Sequence, residues 1–245
     1  MTVVLGMDSA TADAVVAVSD GDQLLRDAAV APEDGRPRHS ELLLTEVERS
    51  VAAAGGWEHI DRIAVGVGPG SFTGLRIGIA TARALAQARD LPLVPVSSLA
   101  ALARGIAEHR EAADRPVLPV IDARRNQVFA ALHDSGGAVL LEPMVIEPGQ
   151  LAAQLAGSPS PLAAGDGALR FAAELEAAGI AVVPPDEGVH RIGGRHICAL
   201  GAKANQASPA DTRHARTPPN DIKPVYLRVP DAKRWLERDQ RNPGS

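Results

Sequence analysis

A chain of 245 residues with 45% hydrophobic and 22% charged residues is long enough for one large domain or two small ones, and this composition excludes a disordered protein. Its aromatic content of 2% and net charge of −5 argue against a surface that stacks nucleobases and against a broad basic footprint on nucleic acid. The single cysteine, Cys198, excludes an internal disulfide and a cysteine-rich metal site. Cys198 lies in an apolar predicted helix, so we interpret it as a core residue. With no signal peptide and no apolar run long enough to cross a bilayer, we expect a soluble cytoplasmic protein.

The first hundred residues alternate between apolar runs and helical patterns. Ser40 is placed to cap a helix that Gly55 and Gly56 end, and either Ser97 or Ser98 could cap a later one. In chain order, the pattern predicts strands at 2–7, 14–18 and 23–31, a helix at 40–54, a strand at 61–68, a long helix after a glycine-rich turn, a strand at 93–96 and a helix to residue 107.

The same order then returns. An apolar strand that ends in Asp8 is followed by a turn and a second strand, and an apolar strand that ends in Asp122 is followed in the same way. The predicted elements are strands at 116–121, 127–132 and 138–146, a helix at 148–156, a strand at 162–164, a helix reaching about residue 178 and a helix at 193–206, then a loop at 208–224 and an ordered segment at 225–228. This weak repeat predicts two similar halves, each a mixed sheet with crossover helices.

We therefore expect a first half at 1–98, which docks a partner, and a second half at 99–228. The last helix of the second half is a candidate to pack back on the first. The residues at 229–245 are charged and predict a flexible tail.

The stretch from Gly66 to Arg89 organises the first half. It reads as a strand, a glycine-rich turn and a helix. The turn either holds an anion on free N–H groups or lets another backbone come close. It lacks the lysine of a Walker A loop and the glycine spacing of a dinucleotide fingerprint.

The helix that follows has a ridge of small residues at successive i+4 positions, namely Gly74, Gly78, Ala82 and Ala86. Such a ridge permits close approach of another element. That element is either the domain's own sheet or a second subunit. The opposite side of the helix carries arginine and glutamine, at Arg76, Arg83 and Gln87.

Asp8 and Asp122 each end a strand. Two carboxylates facing a cleft could hold magnesium through water, whereas each could also simply cap its own turn. The cationic Arg124 and Arg125 after Asp122 favour the turn cap there. The turn at 165–167 is only a weak candidate for contact with an adenosine phosphate, and His39 is interpreted as a surface or capping residue.

At these residues the chain resembles the family of the tRNA threonylcarbamoyladenosine biosynthesis protein TsaB, also called YeaZ. The resemblance rests mainly on the run GPGSFTGLRIG at 68–78. Supporting matches are Asp8-Ser9-Ala10-Thr11, His39-Ser40-Glu41, Gly165-Asp166-Gly167 and Pro224-Val225-Tyr226-Leu227-Arg228. It implies an α/β fold of the actin/Hsp70/sugar-kinase-like (ASKHA) class, with two related halves.

The resemblance also implies a role. TsaB-like proteins are non-catalytic scaffold or activator subunits that pair with the transferase TsaD and the small ATPase TsaE to make N6-threonylcarbamoyladenosine in tRNA. ATP and a metal would be used by the partner subunits, and tRNA would be reached through the complex, without contact with a membrane or DNA. When the chain is alone, the resemblance is compatible with a homodimer. The alternative is an actin-like-fold enzyme in its own right, either an ATP-dependent kinase or a metallopeptidase.

The family's catalytic paralogue carries two metal-binding histidines four residues apart, where this chain has Ser98 and Leu102. We therefore assign no catalytic, cofactor-binding or metal-binding residue. The resemblance implies a partner interface on the helices at 40–54 and 73–89. Its predicted residues are Leu43, Val47, Gly74, Arg76, Gly78, Ala82, Arg83, Leu85 and Ala86. The motif loop is Gly68, Pro69, Gly70, Ser71, Phe72 and Thr73. The turn Met7-Asp8-Ser9-Ala10 departs from the family's more usual Ile-Asp-Thr-Ser, which puts nucleotide binding in doubt.

Overall fold

Ten strands form two five-stranded sheets in the computed structural model, which describes residues 1–32, 38–155, 159–203 and 221–227. The strands are β1 (Val3–Asp8), β2 (Ala14–Asp20), β3 (Gln23–Val30), β4 (Arg62–Gly66), β5 (Leu93–Val96), β6 (Val117–Asp122), β7 (Val128–His133), β8 (Val139–Ile146), β9 (Leu162–Ala164) and β10 (Ala181–Val182). The helices are α1 (His39–Ala53), α2 (Phe72–Arg89), α3 (Ser98–Ala107), α4 (Pro148–Gln154), α5 (Asp166–Arg170), α6 (Ala172–Ala177) and α7 (Gly194–Lys203).

The two sheets have the same topology. The first has the order β3-β2-β1-β4-β5, and the second has the order β8-β7-β6-β9-β10. In each, the first three strands in the chain pair antiparallel and the last two join in parallel. Asp8 and Asp122 end equivalent strands, β1 and β6. The predicted pair of related halves, each with a mixed sheet flanked by helices, is confirmed.

The helix that follows each sheet in the chain packs on the other sheet. Helix α3, which follows the first sheet in the chain, packs on β6, whereas α7 packs on β1 and β2. Gly6 on β1 makes the second contact possible, because a Cβ there would lie 2.8 Å from the Cys198 sulfur. Cys198 is fully buried, and burial raises the pKa of its thiol to about 12. The thiol is therefore protonated at neutral pH, in keeping with the predicted core position.

The hydrophobic core of the described residues consists of two clusters, which lie on opposite faces of β6. Val117 and Ile121 on one face of β6 belong to the large cluster that also contains β1, α2, α3 and α7, while Leu118 and Val120 on the other face belong to a smaller cluster under α4 and α6. Alternate residues of β6 thus pack into different clusters, because successive side chains of a strand point to opposite faces of the sheet. Among the described residues, no helix combines the length and apolar composition of a membrane span.

Asp27 on β3 holds the start of α7. Its two carboxylate oxygens accept hydrogen bonds from the backbone N–H groups of Gly194 and Arg195, at 3.1 and 3.2 Å. We expect Asp27→Ala to lower the free energy of unfolding by about 1 kcal/mol, the usual loss of an N-terminal cap. Urea denaturation measures this loss, with Asp22→Ala in the exposed β2–β3 turn as the control. A loss no larger than that of the control would contradict the capping role.

Three details differ from the predictions. Helix α1 begins one residue earlier than expected, after Arg38, and has no side-chain cap, so the capping role predicted for Ser40 is wrong. The helix expected to reach residue 178 is broken at Phe171, whose φ and ψ of −116° and 27° are not helical. The two-residue strand β10 was not predicted, because it is too short to carry a period.

Several predicted features lie outside the described residues. These are the end of the last helix at 204–206, most of the loop at 208–224, Arg228 and the tail at 229–245.

Candidate functional site

The glycine-rich loop packs directly on the turn between β1 and β2. The Ser71 N–H donates to the Ala10 carbonyl at 2.7 Å, and a Cβ on Gly70 would lie 2.5 Å from the same oxygen. Ser71 also caps α2, because its hydroxyl accepts the Gly74 N–H at 3.2 Å. The Gly68 N–H donates to the Ser98 hydroxyl at 3.2 Å. Three N–H groups of the loop region are therefore used inside the chain, which favours the close-packing interpretation over the anion cradle.

The ridge of small residues on α2 continues this packing. A Cβ on Gly74 would overlap the Ser9 carbonyl oxygen, and a Cβ on Gly78 would overlap the Ser9 hydroxyl. That hydroxyl donates to the Gly74 carbonyl at 2.8 Å. Ala82 and Ala86 are buried in the same core. The ridge thus faces the chain's own β1–β2 turn and sheet, which is the first of the two interpretations given above.

Burial inside the chain limits which of the predicted interface residues are accessible to a partner. Six of its nine residues are buried inside the chain, namely Leu43, Val47, Gly74, Gly78, Ala82 and Ala86. Arg76 is exposed, and Arg83 and Leu85 are partly exposed, so a partner reaches only these three. Helical periodicity identifies a face of small residues correctly, but it does not say which surface covers that face.

The accessible face of α2 is a different one. It carries a second row of small residues between polar and aromatic ones: Phe72, Thr73, Arg76, Ala80, Ala84, Gln87 and Ala88 are all exposed. Ala80, Ala84 and Ala88 follow one another at i+4 spacing, so this face also permits a close helix contact. On the neighbouring α1, Leu44 is 49% exposed.

The segment at 221–227 lies against α2 and the motif loop. The Val225 N–H donates to the Val67 carbonyl at 2.8 Å, and the Arg83 guanidinium donates to the Ile222 carbonyl. Ile222 is buried in the large core cluster. Sequence reasoning named part of this segment as a family match but did not place it beside α2. Its tyrosine, the only one in the chain, was a usable signal because an aromatic residue is rare here.

Asp8 is enclosed at the centre of this region. Its carboxylate accepts hydrogen bonds from the Ser98 hydroxyl at 2.6 Å and from the Ala10 N–H at 2.7 Å. A Cβ on Gly66 would overlap it. Burial raises the pKa of Asp8 to about 6, against the lowering effect of the two hydrogen bonds. Asp8 thus caps its own turn, as in the second interpretation, and a carboxylate so enclosed fits a hydrated magnesium ion poorly.

Asp122 is also paired inside the chain. It accepts the Arg124 N–H and the Arg170 guanidinium, both at 2.8 Å, while the Arg124 guanidinium lies 3.6 Å away. Its own N–H donates to Asp166 at 3.0 Å. The turn-cap interpretation favoured for Asp122 is confirmed. Within the described residues, no three His, Cys, Asp or Glu side chains are grouped as metal ligands would be.

The three remaining candidates take structural positions. His39 is buried, and its Nε2 donates to the Thr11 carbonyl at 3.0 Å, so the surface or capping role predicted for it is wrong. At the turn after β9, the Gly165 N–H donates to His190 at 3.2 Å, and a Cβ on Gly167 would lie 2.8 Å from the Asp122 nitrogen. This turn packs on β6 in the same way as the motif loop packs on the β1–β2 turn. Leu102 is buried in the core, four residues after Ser98.

Comparison with known proteins gives a consistent picture. Residues 18–182 match the family model of TsaD, tRNA N6-adenosine threonylcarbamoyltransferase. The chain is 36% identical to the tRNA threonylcarbamoyladenosine biosynthesis protein TsaB of Escherichia coli over 129 residues, which cover 52% of this chain and 53% of that protein. It thus spans about half the length of this curated relative.

Two further similarities extend over almost the whole chain. An uncharacterized protein of Mycobacterium tuberculosis is 30% identical over 243 residues, 95% of each chain. The solved structure of YeaZ from Pseudomonas aeruginosa superposes with a TM-score of 0.72 at 26% identity, covering 93% of this chain and all of that one.

Proposed function

Since the chain belongs to the tRNA N6-adenosine threonylcarbamoyltransferase family, and within it to the TsaB/YeaZ proteins, we propose that it is a non-catalytic subunit of the cytoplasmic complex that makes N6-threonylcarbamoyladenosine in tRNA. Its two equivalent mixed sheets and its likeness to YeaZ confirm the predicted ASKHA fold class. The subunit holds and activates a TsaD-like transferase, and a TsaE-like ATPase joins the same complex. tRNA, ATP and the metal are handled by these partners.

The observation that carries the non-catalytic role is how Asp8 and Asp122 are used. Both end equivalent strands, where a nucleotide or metal would be held if this chain did chemistry. Instead, Asp8 is buried under Ser98, and Asp122 is paired with Arg124 and Arg170. These carboxylates serve the fold. The alternative of an ATP-dependent or metal-dependent enzyme would gain support from micromolar binding of ATP or Mg²⁺ to the isolated chain in calorimetry.

We place the transferase on the exposed face of α2. This face has only short side chains at Ala80, Ala84 and Ala88, so a partner helix can approach closely. Arg76 and Arg83 flank it. The same surface could pair two copies of this chain when the transferase is absent, because a smooth helix face is compatible with a two-fold contact.

Ala84→Arg tests this docking surface. The larger charged side chain should block close helix contact and weaken binding to the purified transferase paralogue at least about tenfold. The control is Ala173→Arg, at another exposed helical alanine, on α6 of the other half. Isothermal titration calorimetry measures both affinities, and equal affinities for the two variants would overturn the placement.

Reconstituted tRNA modification tests the role itself. With competent TsaD-like and TsaE-like proteins present, modification should require this chain and should fall with Ala84→Arg but not with Ala173→Arg. Full modification without the chain would remove the proposed activator function.

A further inference from the structure

Two exposed aromatic side chains meet where α2 begins. Phe72 and Tyr226 are 44% and 41% exposed, and their ring centroids lie 5.2 Å apart. Among the aromatic residues that the structure describes, these two are the exposed ones. Arg76 joins them: its guanidinium carbon lies 3.8 Å from the Phe72 ring centroid, and its Nε donates to the Tyr226 hydroxyl at 3.2 Å. We call Phe72, Arg76 and Tyr226 the aromatic–arginine cluster.

Contacts of the 221–227 segment with the rest of the chain fix the position of the cluster. The residue before Tyr226 is fixed by its backbone bond to Val67, and Ile222 anchors the same segment in the core. Tyr226 is further tied by its contacts with Phe72 and Arg76. A surface that is already ordered loses little conformational entropy when a partner binds. Both rings remain exposed, although burial of a large aromatic side chain would favour folding.

Helix α2, which supplies two of the three cluster residues, is positively charged. From Phe72 to Arg89, α2 contains three arginines and no acidic residue, although the whole chain has a net charge of −5. A positive strip on an acidic protein complements an acidic patch on its partner, which steers and orients association. Tyrosine and arginine are also the residue types most enriched among the energetically dominant residues of protein interfaces.

We propose that the aromatic–arginine cluster is the main anchor of the docking surface, and that it receives an apolar side chain flanked by carboxylates of the transferase. The inference rests on the proposed function, and it extends the docking surface from α2 to the 221–227 segment. Nucleic acid fits the cluster less well, because the two rings pack on each other and Arg76 covers Phe72, so open faces for stacking bases are reduced.

Affinity measurements on the full chain with the purified transferase paralogue test this inference. Phe72→Ala, Tyr226→Ala and Arg76→Glu should each weaken binding at least about tenfold. Two controls match them on the second half: Leu140→Ala removes a side chain that is 54% exposed, and Arg110→Glu reverses a charge on a side chain that is 75% exposed. Both controls should stay within about twofold of the unsubstituted chain. Raising the salt concentration should weaken binding of the unsubstituted chain and affect Arg76→Glu much less.

Thermal unfolding of each variant separates loss of binding from loss of folding. Tyr226→Phe serves as a second variant, because it keeps the ring and removes only the hydroxyl that Arg76 contacts. It should fold normally and bind with an affinity between those of the unsubstituted chain and Tyr226→Ala.

The outcomes are distinguishable. If the unsubstituted chain binds and Ala84→Arg does not, while the three cluster variants bind normally, the cluster is not the anchor and the proposed function stands. If the unsubstituted chain does not bind the paralogue, both proposals fail. If Arg76→Glu loses affinity for unmodified tRNA and keeps its affinity for the paralogue, the cluster is a nucleic-acid contact and the inference is overturned.

Discussion

Gly74→Ala and Gly78→Ala are expected to destabilise the folded chain, although alanine is normally the better helix former by about 1 kcal/mol. At Gly74 the new Cβ would overlap the Ser9 carbonyl, which is backbone and cannot rotate away. We expect a loss of about 3 kcal/mol there. At Gly78 the Cβ would overlap the Ser9 hydroxyl. That hydroxyl can rotate at the expense of its bond to the Gly74 carbonyl, so the loss should be smaller, about 1–2 kcal/mol.

Guanidinium denaturation gives these free energies of unfolding. Ala80→Gly, on the exposed face of the same helix, is the control and should lose about 1 kcal/mol from helix propensity alone. Both kinds of change should thus destabilise the chain, the glycine-to-alanine changes by steric overlap and the alanine-to-glycine change by lower helix propensity. Variants at 74 and 78 that equal or exceed the unsubstituted chain in stability would show that the ridge is not packed as described.

The packing of Gly78 against Ser9 determines which substitution can test docking. A large side chain at Gly78 would disturb the β1–β2 turn before it met any partner, so loss of binding there would report misfolding. Ala84, on the exposed face, is the position at which a larger side chain separates docking from folding.

Asp8→Asn is expected to stabilise the chain, by an amount that grows with pH. The pKa of Asp8 is raised from 3.8 to about 6 by burial. Between these values, the folded chain holds a proton that the unfolded chain has released, so the free energy of unfolding falls as pH rises through this window. Above pH 6 the ionised carboxylate lowers stability by about 3 kcal/mol, and below pH 4 it has no such effect. Asparagine keeps the size and removes the charge; its amide oxygen can still accept the Ala10 N–H, while its NH2 group would donate to the Ser98 hydroxyl oxygen.

Chemical denaturation between pH 4 and pH 7 measures this effect. The stability difference between Asp8→Asn and the unsubstituted chain should increase by about 3 kcal/mol across the window, with Asp22→Asn as the control for removing an exposed charge. A difference that is constant or shrinks with pH would contradict the enclosed position of Asp8. Stabilisation of the unsubstituted chain by Mg²⁺, lost in Asp8→Asn, would favour the metal-binding interpretation.

Much of the fold follows from local pattern. The strands of both sheets, apart from β10, and the start of α3 after its Ser97 cap are found where apolar runs and capping residues indicate them. The duplication could be predicted from two strands that end in aspartate. What the pattern could not show is contact between distant segments. His39 looks like a surface residue until the β1–β2 turn covers it, and the second half supplies α7 to the first sheet from more than a hundred residues away.

The candidate site shows the same division. The motif at 68–78 marks the loop and the helix on which the docking proposal rests, and the prediction that its glycines permit close contact agrees with their packing on the β1–β2 turn. Periodicity could not show that most of the predicted interface residues are buried inside the chain, because small residues mark a close contact whether it lies inside or between chains. Phe72 was predicted as part of the motif loop, but its pairing with Tyr226 depends on tertiary structure.

The exchange of α3 and α7 between the sheets makes the two halves interdependent. A fragment cut at residue 98 would lose the helix that covers Gly6 and Ala64, and the remainder would lose the helices and strands that cover α7. The first piece thus loses part of the large core cluster, whereas the smaller cluster lies wholly within the second piece. The hydrogen bond from the Ser98 hydroxyl to Asp8 also links the β1–β2 turn to α3, the helix that packs on the second sheet.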